Sequence, residues 1–265
     1  MEKDTLLAAN FEIKPNEGKS LTIEVDGVHY ARIPVKTHVI TSQDKLADVF
    51  ETYVRPIAAP GDIAFVSEKA VACTQSRAVR MKDINPRPLA RLLCKFVQKT
   101  PYGIGLGIPE TMEMALRECG VVRILFAAVV SAFGKLLGRR GWFYNIAGDK
   151  ARAIDGPCDY TLPPYNEYVV LGPEDPAAAA KTASDACGIP VAVVDINDLG
   201  GNILGVSHDS IDVALLLKTL KDNPLGQSSE QTPIGIVRKW ETQEHAEADT
   251  DEELPPSPDE PESES

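Results

Sequence analysis

The segment from residue 168 to residue 198 constrains the fold more than any other part of the sequence. It contains an apolar run at 168–171, a turn at Gly172-Pro173, an alanine-rich stretch at 176–187 and a second apolar run at 191–194. Apolar runs separated by a helical pattern are typical of strand, helix, strand units with a buried sheet. The sequence therefore predicts a mixed α/β (α+β) fold.

The same alternation precedes this segment. Residues 21–35 alternate apolar and polar side chains around Asp26-Gly27, which predicts a β-hairpin. A helix capped by Thr41 or Ser42 should follow, and then a short buried strand at 63–66. One face of that helix would carry Leu46, Val49, Phe50 and Tyr53.

Helical patterns dominate the middle of the chain. They begin at residue 86, and Pro109 suits the first turn of a further helix. The apolar segment 121–137 favours a buried helix, because the uncharged stretch between Arg123 and Lys135 is shorter than the ~20 residues that a membrane span needs.

The last predicted elements are a helix capped by Asp209 or Ser210 and a strand at 234–238. Between them, residues 223–233 are either a long turn or a loop that holds a ligand. Asn223-Pro224 and Gly226 are typical turn residues. The position of this loop before a strand favours the second interpretation.

Most of the net charge lies at the end of the chain. The formal charge is -12, but eleven of the 39 acidic residues follow Lys239 and no Lys or Arg does. The remaining 28 acidic and 27 basic residues leave residues 1–240 at about -1. We therefore expect a domain at 1–240 with no basic surface for nucleic acid, and a disordered acidic tail at 241–265.

Cysteine usage indicates a reducing compartment. The five cysteines are widely spaced, odd in number and free of any CxxC pair, and the first residues lack the apolar core of a secretory signal. We expect reduced thiols in a cytoplasmic protein without membrane contact. The cysteines are Cys73, Cys94, Cys119, Cys158 and Cys187.

Carboxylates in two places suggest a cation site. Asp195 and Asp198 follow the apolar run at 191–194, and ligand sites in α/β sheets gather at the carboxyl ends of strands. Asp149 and Asp155 lie in glycine-containing turns further upstream. Carboxylates suit Mg²⁺ or Mn²⁺ beside phosphate, although aspartates are also common turn residues.

Taken together, the sequence resembles the coenzyme F420-0:L-glutamate ligase (F420-0 gamma-glutamyl ligase) family, as a divergent branch. The resemblance rests on segments found in the family's order across residues 32–238: "RIPVKTHVITSQDKLADVF", "GDIAFVSEKAVACTQSRAV", "VVLGPEDPAAAA" with "VAVVDIND", and "LGQSSEQTPIGIVR". It implies the family's fold of mixed sheets packed by helices, in two intertwined lobes. It also implies a homodimer whose sheets continue across a two-fold interface.

The resemblance further implies a reaction: GTP-dependent addition of L-glutamate to coenzyme F420-0 or a related carboxylate, which is first activated as an acyl phosphate. Mg²⁺ or Mn²⁺ would neutralise charge on the transferring phosphoryl group. The implied metal ligands are the Gln227 amide oxygen, Asp149 or Asp155, and Asp195 or Asp198. The implied nucleotide contacts are Thr37, His38, Val39, Ile40, Gly226, Gln227 and Glu230.

The sequence departs from the family pattern at a position that matters for phosphate. Cys73 aligns with a nucleotide-contacting lysine and Glu68 with a serine, and a thiol supplies no fixed positive charge. Lys69, Arg139 or Arg140 would have to supply that charge. The alternative hypothesis is a non-catalytic protein that kept the fold and a nucleotide pocket.

Overall fold

The computed structural model describes residues 6–8, 11–97, 104–139, 141–159, 161–198, 200–226 and 229–240. The acidic tail predicted at 241–265 lies outside the described residues. The strands are β1 (Leu6–Ala8), β2 (Phe11–Ile13), β3 (Thr22–Val25), β4 (Val28–Val35), β5 (Ile63–Ser67), β6 (Ala78–Arg80), β7 (Tyr168–Val170), β8 (Val191–Asn197), β9 (Gly200–Val206) and β10 (Ile234–Trp240). The α-helices are α1 (Leu46–Tyr53), α2 (Glu68–Thr74), α3 (Pro88–Leu93), α4 (Pro109–Glu118), α5 (Val121–Leu136), α6 (Trp142–Ala147), α7 (Asp149–Arg152), α8 (Pro176–Cys187) and α9 (Val213–Thr219).

A six-stranded mixed sheet forms the centre of the molecule, in the order β3-β4-β10-β5-β8-β9. Only its neighbours β5 and β8 are parallel, with Ala64 paired to Val191 and Ser67 to Val194. Their carboxyl ends therefore meet at one edge of the sheet. The predicted mixed α/β class is confirmed.

Helices cover both faces of this sheet. Side chains such as Val66 and Val193 point into one core, which contains apolar residues of α1, α2 and α8. Phe65 and Val194 point the opposite way, into a core closed by α9. Successive strand residues face opposite sides, so each apolar run supplies both cores. We call the central sheet with α1, α2, α8 and α9 the sheet unit.

Residues 78–171 build a second core, which we call the helical unit. It contains α3 to α7 and the two-stranded sheet β6-β7. Its buried residues include Met112, Ile124 and Ile154. The two units therefore have separate apolar interiors.

Several local predictions are confirmed, including the hairpin at Asp26-Gly27 and the helix over 176–187. The predicted caps of two helices are wrong. Thr41 and Asp44 bind each other in a turn, so α1 begins one turn later with Lys45 at its N-cap. The last helix is capped by Asp212, whose carboxylate accepts a hydrogen bond from Leu215 N.

The helix predicted at 121–137 is present as α5, but the expectation that it is buried is only half right. Ile124 and Ala127 face the core of the helical unit, whereas Phe126 and Phe133 are mostly exposed. An apolar sequence predicts that a helix packs against other elements, but it does not show how many sides of the helix are buried. Within the described residues, no helix is long and apolar enough to cross a membrane.

Candidate functional site

Three carboxylates from separate parts of the chain influence one another at the edge where β5 and β8 end. Glu68 begins α2 directly after β5, behind the N-cap Ser67, whose side chain accepts a hydrogen bond from Ala70 N. Asp195 lies near the end of β8. Asp155 comes from the helical unit, where its backbone pairs with Val170, the last residue of β7. We call Glu68, Asp155 and Asp195 the carboxylate cluster.

Burial, and then mutual repulsion, disfavour full ionisation of the carboxylate cluster. Burial raises the pKa of Glu68 to about 8, and the charges of Asp195 and Asp155 add to this effect. The pKa of Asp195 is raised for the same reasons, first loss of solvent and then the charge of Asp155. A cation placed here would relieve this repulsion, because opposite charge favours the ionised form.

Lys69 supplies one positive charge at the cluster. Its Nζ lies 2.9 Å from Asp155 Oδ2, and both side chains are about half exposed. Its charge also opposes the rise in the pKa of Glu68 and of Asp195. Lys69 lies on the same helix as Cys73, four residues earlier in the chain.

Cys73 itself is buried inside the sheet unit. Burial raises the pKa of its thiol, although a hydrogen bond with Tyr165 and the charge of Lys69 oppose the rise. The Tyr165 hydroxyl donates to Ile40 O at 2.6 Å. Position 73 therefore fixes Tyr165 and the loop after β4 rather than presenting a charge.

Two predicted nucleotide-contacting segments are hydrogen-bonded to each other. Gln231 Nε2 donates to Thr37 O at 2.6 Å, and Thr37 N donates to Gln231 O at 3.2 Å. Asn16 Nδ2 ties the second segment from the other side, through the carbonyls of Pro224 and Leu225. We call the described residues 223–226 and 229–232, which these bonds tie to the rest of the chain, the anchored loop.

The other residues of the first segment are held locally. The His38 ring bonds the Tyr53 hydroxyl at 2.9 Å and lies 3.0 Å from Asp44. Val39 is half-buried, whereas Ile40 belongs to the core of the sheet unit. In this arrangement backbone groups of the segment, more than its side chains, face the anchored loop.

The anchored loop turns tightly at Gly226. This glycine has φ +77°, and a Cβ there would lie 2.5 Å from the Glu230 carboxylate, so Gly226 and Glu230 are in close contact. Asn223 is buried and its amide donates to Gly226 O at 2.9 Å. Gln227, a predicted ligand of metal and nucleotide, lies outside the described residues.

A small cleft of about 50 Å³, partly open to solvent, separates the anchored loop from the strand ends. It is lined by Phe65, Ser67, Val194, Ile196, Asn223, Pro224, Leu225 and Gly226. Val194 and Ile196 alternate with Asp195 along β8, so the cleft and the carboxylate cluster lie on opposite faces of this strand. The carboxyl end of β8 therefore has one apolar face, toward the cleft, and one charged face, toward the carboxylate cluster.

The structure does not bring the remaining predicted residues to the cluster. Asp149 is fully exposed in the first turn of α7 and lies 4.0 Å from Arg152. Asp198 pairs with Lys19 at 2.8 Å in the turn after β8. Arg139 is exposed just after α5, and Arg140 lies outside the described residues. Of each predicted aspartate pair, Asp155 and Asp195 are the members that lie at the carboxylate cluster.

Sequence reasoning missed Glu68 as a member of the cluster. The available signal was its place directly after a buried strand, which is the signal that identified Asp195. Among the described residues, no three His, Cys, Asp or Glu side chains are already arranged to ligate a metal ion. The cluster as described is therefore an electrostatic grouping.

Comparison with known protein families identifies a match. Residues 34–199, more than half of the chain, match the sequence model of the F420-0:Gamma-glutamyl ligase family. The match includes the whole carboxylate cluster and ends before the anchored loop. No curated protein sequence matches the chain significantly.

Proposed function

Because the chain belongs to the F420-0:gamma-glutamyl ligase family, we propose that it is a nucleotide- and metal-dependent ligase that forms an amide bond to L-glutamate. The proposed acceptor is coenzyme F420-0 or a related carboxylate. The observation that supports this most is the carboxylate cluster, which lies beside Lys69 at the carboxyl ends of two parallel strands. This is the edge of an α/β sheet where ligands usually bind.

The donor chemistry of the cluster fits a hard divalent cation. Asp155 and Asp195 offer carboxylate oxygens, which Mg²⁺ and Mn²⁺ prefer, and Gln227 would add an amide oxygen from the anchored loop. The pKa values of Glu68 and Asp195 are raised first by burial and then by the neighbouring carboxylates, while the charge of Lys69 opposes the rise. When bound, the cation would supply charge neutralisation to a phosphoryl group.

The residues around the cluster would position the nucleotide. Among the described residues, Lys69 is the cation that would contact phosphate, because its half-exposed side chain lies beside Asp155 of the cluster. The anchored loop and Thr37 would close over the nucleotide from the strand ends. GTP is the proposed nucleotide, because the family resemblance implies it.

The proposed reaction has two steps, phosphorylation of the acceptor and amide formation. An acceptor carboxylate oxygen attacks the γ-phosphorus of GTP, which gives an acyl phosphate and GDP. The glutamate amine then attacks the acyl carbon, inorganic phosphate leaves, and the amine loses one proton. The roles left to the chain are to hold both carboxylate substrates near Lys69 and the bound cation, and to limit water at the acyl phosphate.

The test is a direct assay with GTP, Mn²⁺, L-glutamate and F420-0, followed by mass spectrometry. We expect a product heavier by one glutamyl residue, and a loss of at least about 100-fold in rate for Asp195→Asn. Asp149→Asn is the matched control, because Asp149 is fully exposed, and should retain full activity. Absence of product and of GTP hydrolysis with every carboxylate acceptor would refute the proposal.

A second candidate function is a nucleotide-binding protein without turnover. The observation that favours it is the burial of Cys73, which leaves no charge where the family has a lysine. Calorimetry with GTP and Mn²⁺ distinguishes the two candidates. Binding without phosphate release supports the second candidate, whereas measurable release excludes it.

The proposed partners are small molecules and a second copy of the chain. The homodimer is implied by the family resemblance, and its contact surface is a separate question. The helical unit supplies Asp155 to the cluster, and one side of its helix α5 exposes apolar side chains to solvent.

A further inference from the structure

A short turn before β3 contacts both the anchored loop and the turn that follows β8. Its four residues are Asn-Glu-Gly-Lys at positions 16–19, and Lys19 N donates to Asn16 O at 3.0 Å across the turn. Gly18 has φ +72° at the third position, where a type II turn requires a left-handed residue and favours glycine. We call these residues the 16–19 turn. Its two end residues, Asn16 and Lys19, each bind a distant part of the chain.

Asn16 joins the two ends of the anchored loop. Its Nδ2 donates to Leu225 O at 2.9 Å and to Pro224 O at 3.1 Å, near the start of the loop. The same nitrogen donates to Thr232 Oγ1 at 2.8 Å, at the end of the loop. The Thr232 hydroxyl in turn donates to Leu225 O at 3.0 Å. One amide therefore holds the loop in its closed shape.

Lys19 joins the anchored loop to the end of β8. Its Nζ lies 2.8 Å from Asp198 Oδ1 and 2.9 Å from Asp222 O, the carbonyl directly before the loop. Exposed ion pairs contribute little to stability, but the Lys19 side chain is only 17% exposed and has two partners. Asp198, which the sequence suggested as a cation ligand, is thus one end of a contact between two segments.

Arg32 of β4 fixes the spacing between the turn and the loop. Its side chain is 1% exposed, and its guanidinium pairs with the Asp222 carboxylate and donates to Ser20 O at 2.7 Å. Ser20 directly follows Lys19, and Asp222 directly precedes the anchored loop. One buried cation thus holds both backbones, so the contact between Lys19 and Asp222 is built into the fold.

Both segments that Lys19 connects lead to the candidate site. Asp198 lies three residues after Asp195 of the carboxylate cluster, and Asp222 precedes the loop that is proposed to contact the nucleotide. The 16–19 turn and the anchored loop both lie outside residues 34–199, which match the family model. A loop that is ordered before its ligand arrives loses less conformational entropy on binding.

We propose that Asn16 and Lys19 are positioning residues of the candidate site, which hold the anchored loop against the end of β8 before a nucleotide binds. The proposal rests on the proposed function, since it assigns the anchored loop to the nucleotide. Asn16 and Lys19 act through the loop, so their removal should weaken nucleotide affinity more than it slows the chemical step.

Hydrogen exchange without ligand tests whether the 16–19 turn holds the loop. Lys19→Met and Asn16→Ala should each speed amide exchange in the anchored loop by about 10-fold or more, because local opening then breaks fewer hydrogen bonds. Exchange in α8 and β10 should be unchanged. Unchanged exchange in the loop of both variants, or an equal increase in β10, would overturn the proposal.

Two further variants separate positioning from a general loss of stability. Lys19→Arg should restore slow exchange, since a guanidinium can also donate to Asp198 and to Asp222 O. Lys218→Met is the matched control, because it removes an exposed lysine-aspartate pair with Asp26 that does not contact the loop, and its loop should exchange as in wild type. Far-UV circular dichroism checks the fold, and Lys19→Gln replaces Lys19→Met if the latter misfolds.

Nucleotide affinity tests whether the ordered loop matters to the site. With Mn²⁺ present, Lys19→Met should raise the Kd for GTP about 10-fold, and in the glutamylation assay it should raise KM while kcat stays within about 2-fold. A purely structural role would lower the folded fraction, and hence kcat, without changing Kd. An unchanged Kd in Lys19→Met would contradict the proposal. A wild-type chain that binds no GTP would instead refute the proposed function, and loop exchange would still decide whether the 16–19 turn positions the loop.

Discussion

The sheet unit and the helical unit differ in how completely they bury their own apolar side chains. Both faces of the central sheet are covered, by α1, α2 and α8 on one side and by α9 on the other. In the helical unit, α5 buries one side and exposes the other. The apolar strands of the sheet unit are thus covered on both faces, whereas the helical unit leaves one apolar helix face exposed to solvent.

This difference bears on the candidate site, because both units contribute to it. The sheet unit provides Glu68, Lys69 and Asp195, and the helical unit provides Asp155. Arg77 joins the units: it pairs with Glu118 of α4 at 2.6 Å and with Glu174 before α8 at 2.8 Å. The position of Asp155 therefore depends on the junction that Arg77 forms between the two units, as well as on packing in the core of the helical unit.

The largest expected effect is in the core of the sheet unit. Phe50 is fully buried between α1 and the sheet, so Phe50→Ala should lower the free energy of unfolding by about 3–5 kcal/mol. Phe96 in the helical unit is 68% exposed, and Phe96→Ala should change it by less than about 0.5 kcal/mol. Urea denaturation measures both. Similar losses in the free energy of unfolding for the two variants would contradict this difference in burial between Phe50 and Phe96.

The next effect is at the junction. Arg77→Met should cost about 2–3 kcal/mol, because it leaves the mostly buried Glu118 with only the exposed Lys150 as a partner. Arg55→Met removes an exposed pair with Glu51 and is the control, with a loss below about 0.5 kcal/mol. Urea denaturation again provides the measurement.

The junction should also respond to pH. Partial burial of Glu118 opposes ionisation, but Arg77 and then Lys150 together outweigh it and lower the pKa of that carboxyl. A lowered pKa gives stability that is present above the unfolded value, near 4.5, and is lost as the pH falls through the folded value. Wild type should therefore lose more stability than Arg77→Met between about pH 5 and pH 3. Parallel losses would show that Arg77 does not hold Glu118 ionised.

The sequence predicts the sheet unit better than the helical unit for a physical reason. The helix and strand at 176–194 follow a local pattern, and the structure confirms them as α8 and β8, whereas β7, the strand before them, belongs to the helical unit. Which of Asp149 and Asp155 approaches Asp195 is not local, since it depends on how the helical unit folds back to pair Asp155 with Val170. The exposed side of α5 was hidden for the same reason, because burial depends on partners far along the chain.

A smaller effect should appear at Glu68, on the sheet side of the cluster. Its pKa is raised to about 8, so the folded state keeps a proton that the unfolded state releases above about pH 4.5, and stability should fall as the pH rises between these values. With divalent cations removed, Glu68→Gln should abolish this fall and gain about 1–2 kcal/mol at pH 8. Glu51→Gln, at an exposed position, should leave the pH profile unchanged.

The smallest effect on stability should come from Asp155, the contribution of the helical unit. Its pair with Lys69 is half exposed, so Asp155→Asn should cost less than about 1 kcal/mol. Removing one carboxylate should nevertheless weaken the shift in melting temperature that Mn²⁺ produces, because the cluster would then offer one charged ligand fewer. Asp149→Asn removes a fully exposed carboxylate of the same unit and should leave the Mn²⁺ shift intact. If Asp155→Asn also leaves the shift intact, the cation is held by the sheet unit alone, and the helical unit contributes no ligand to the site.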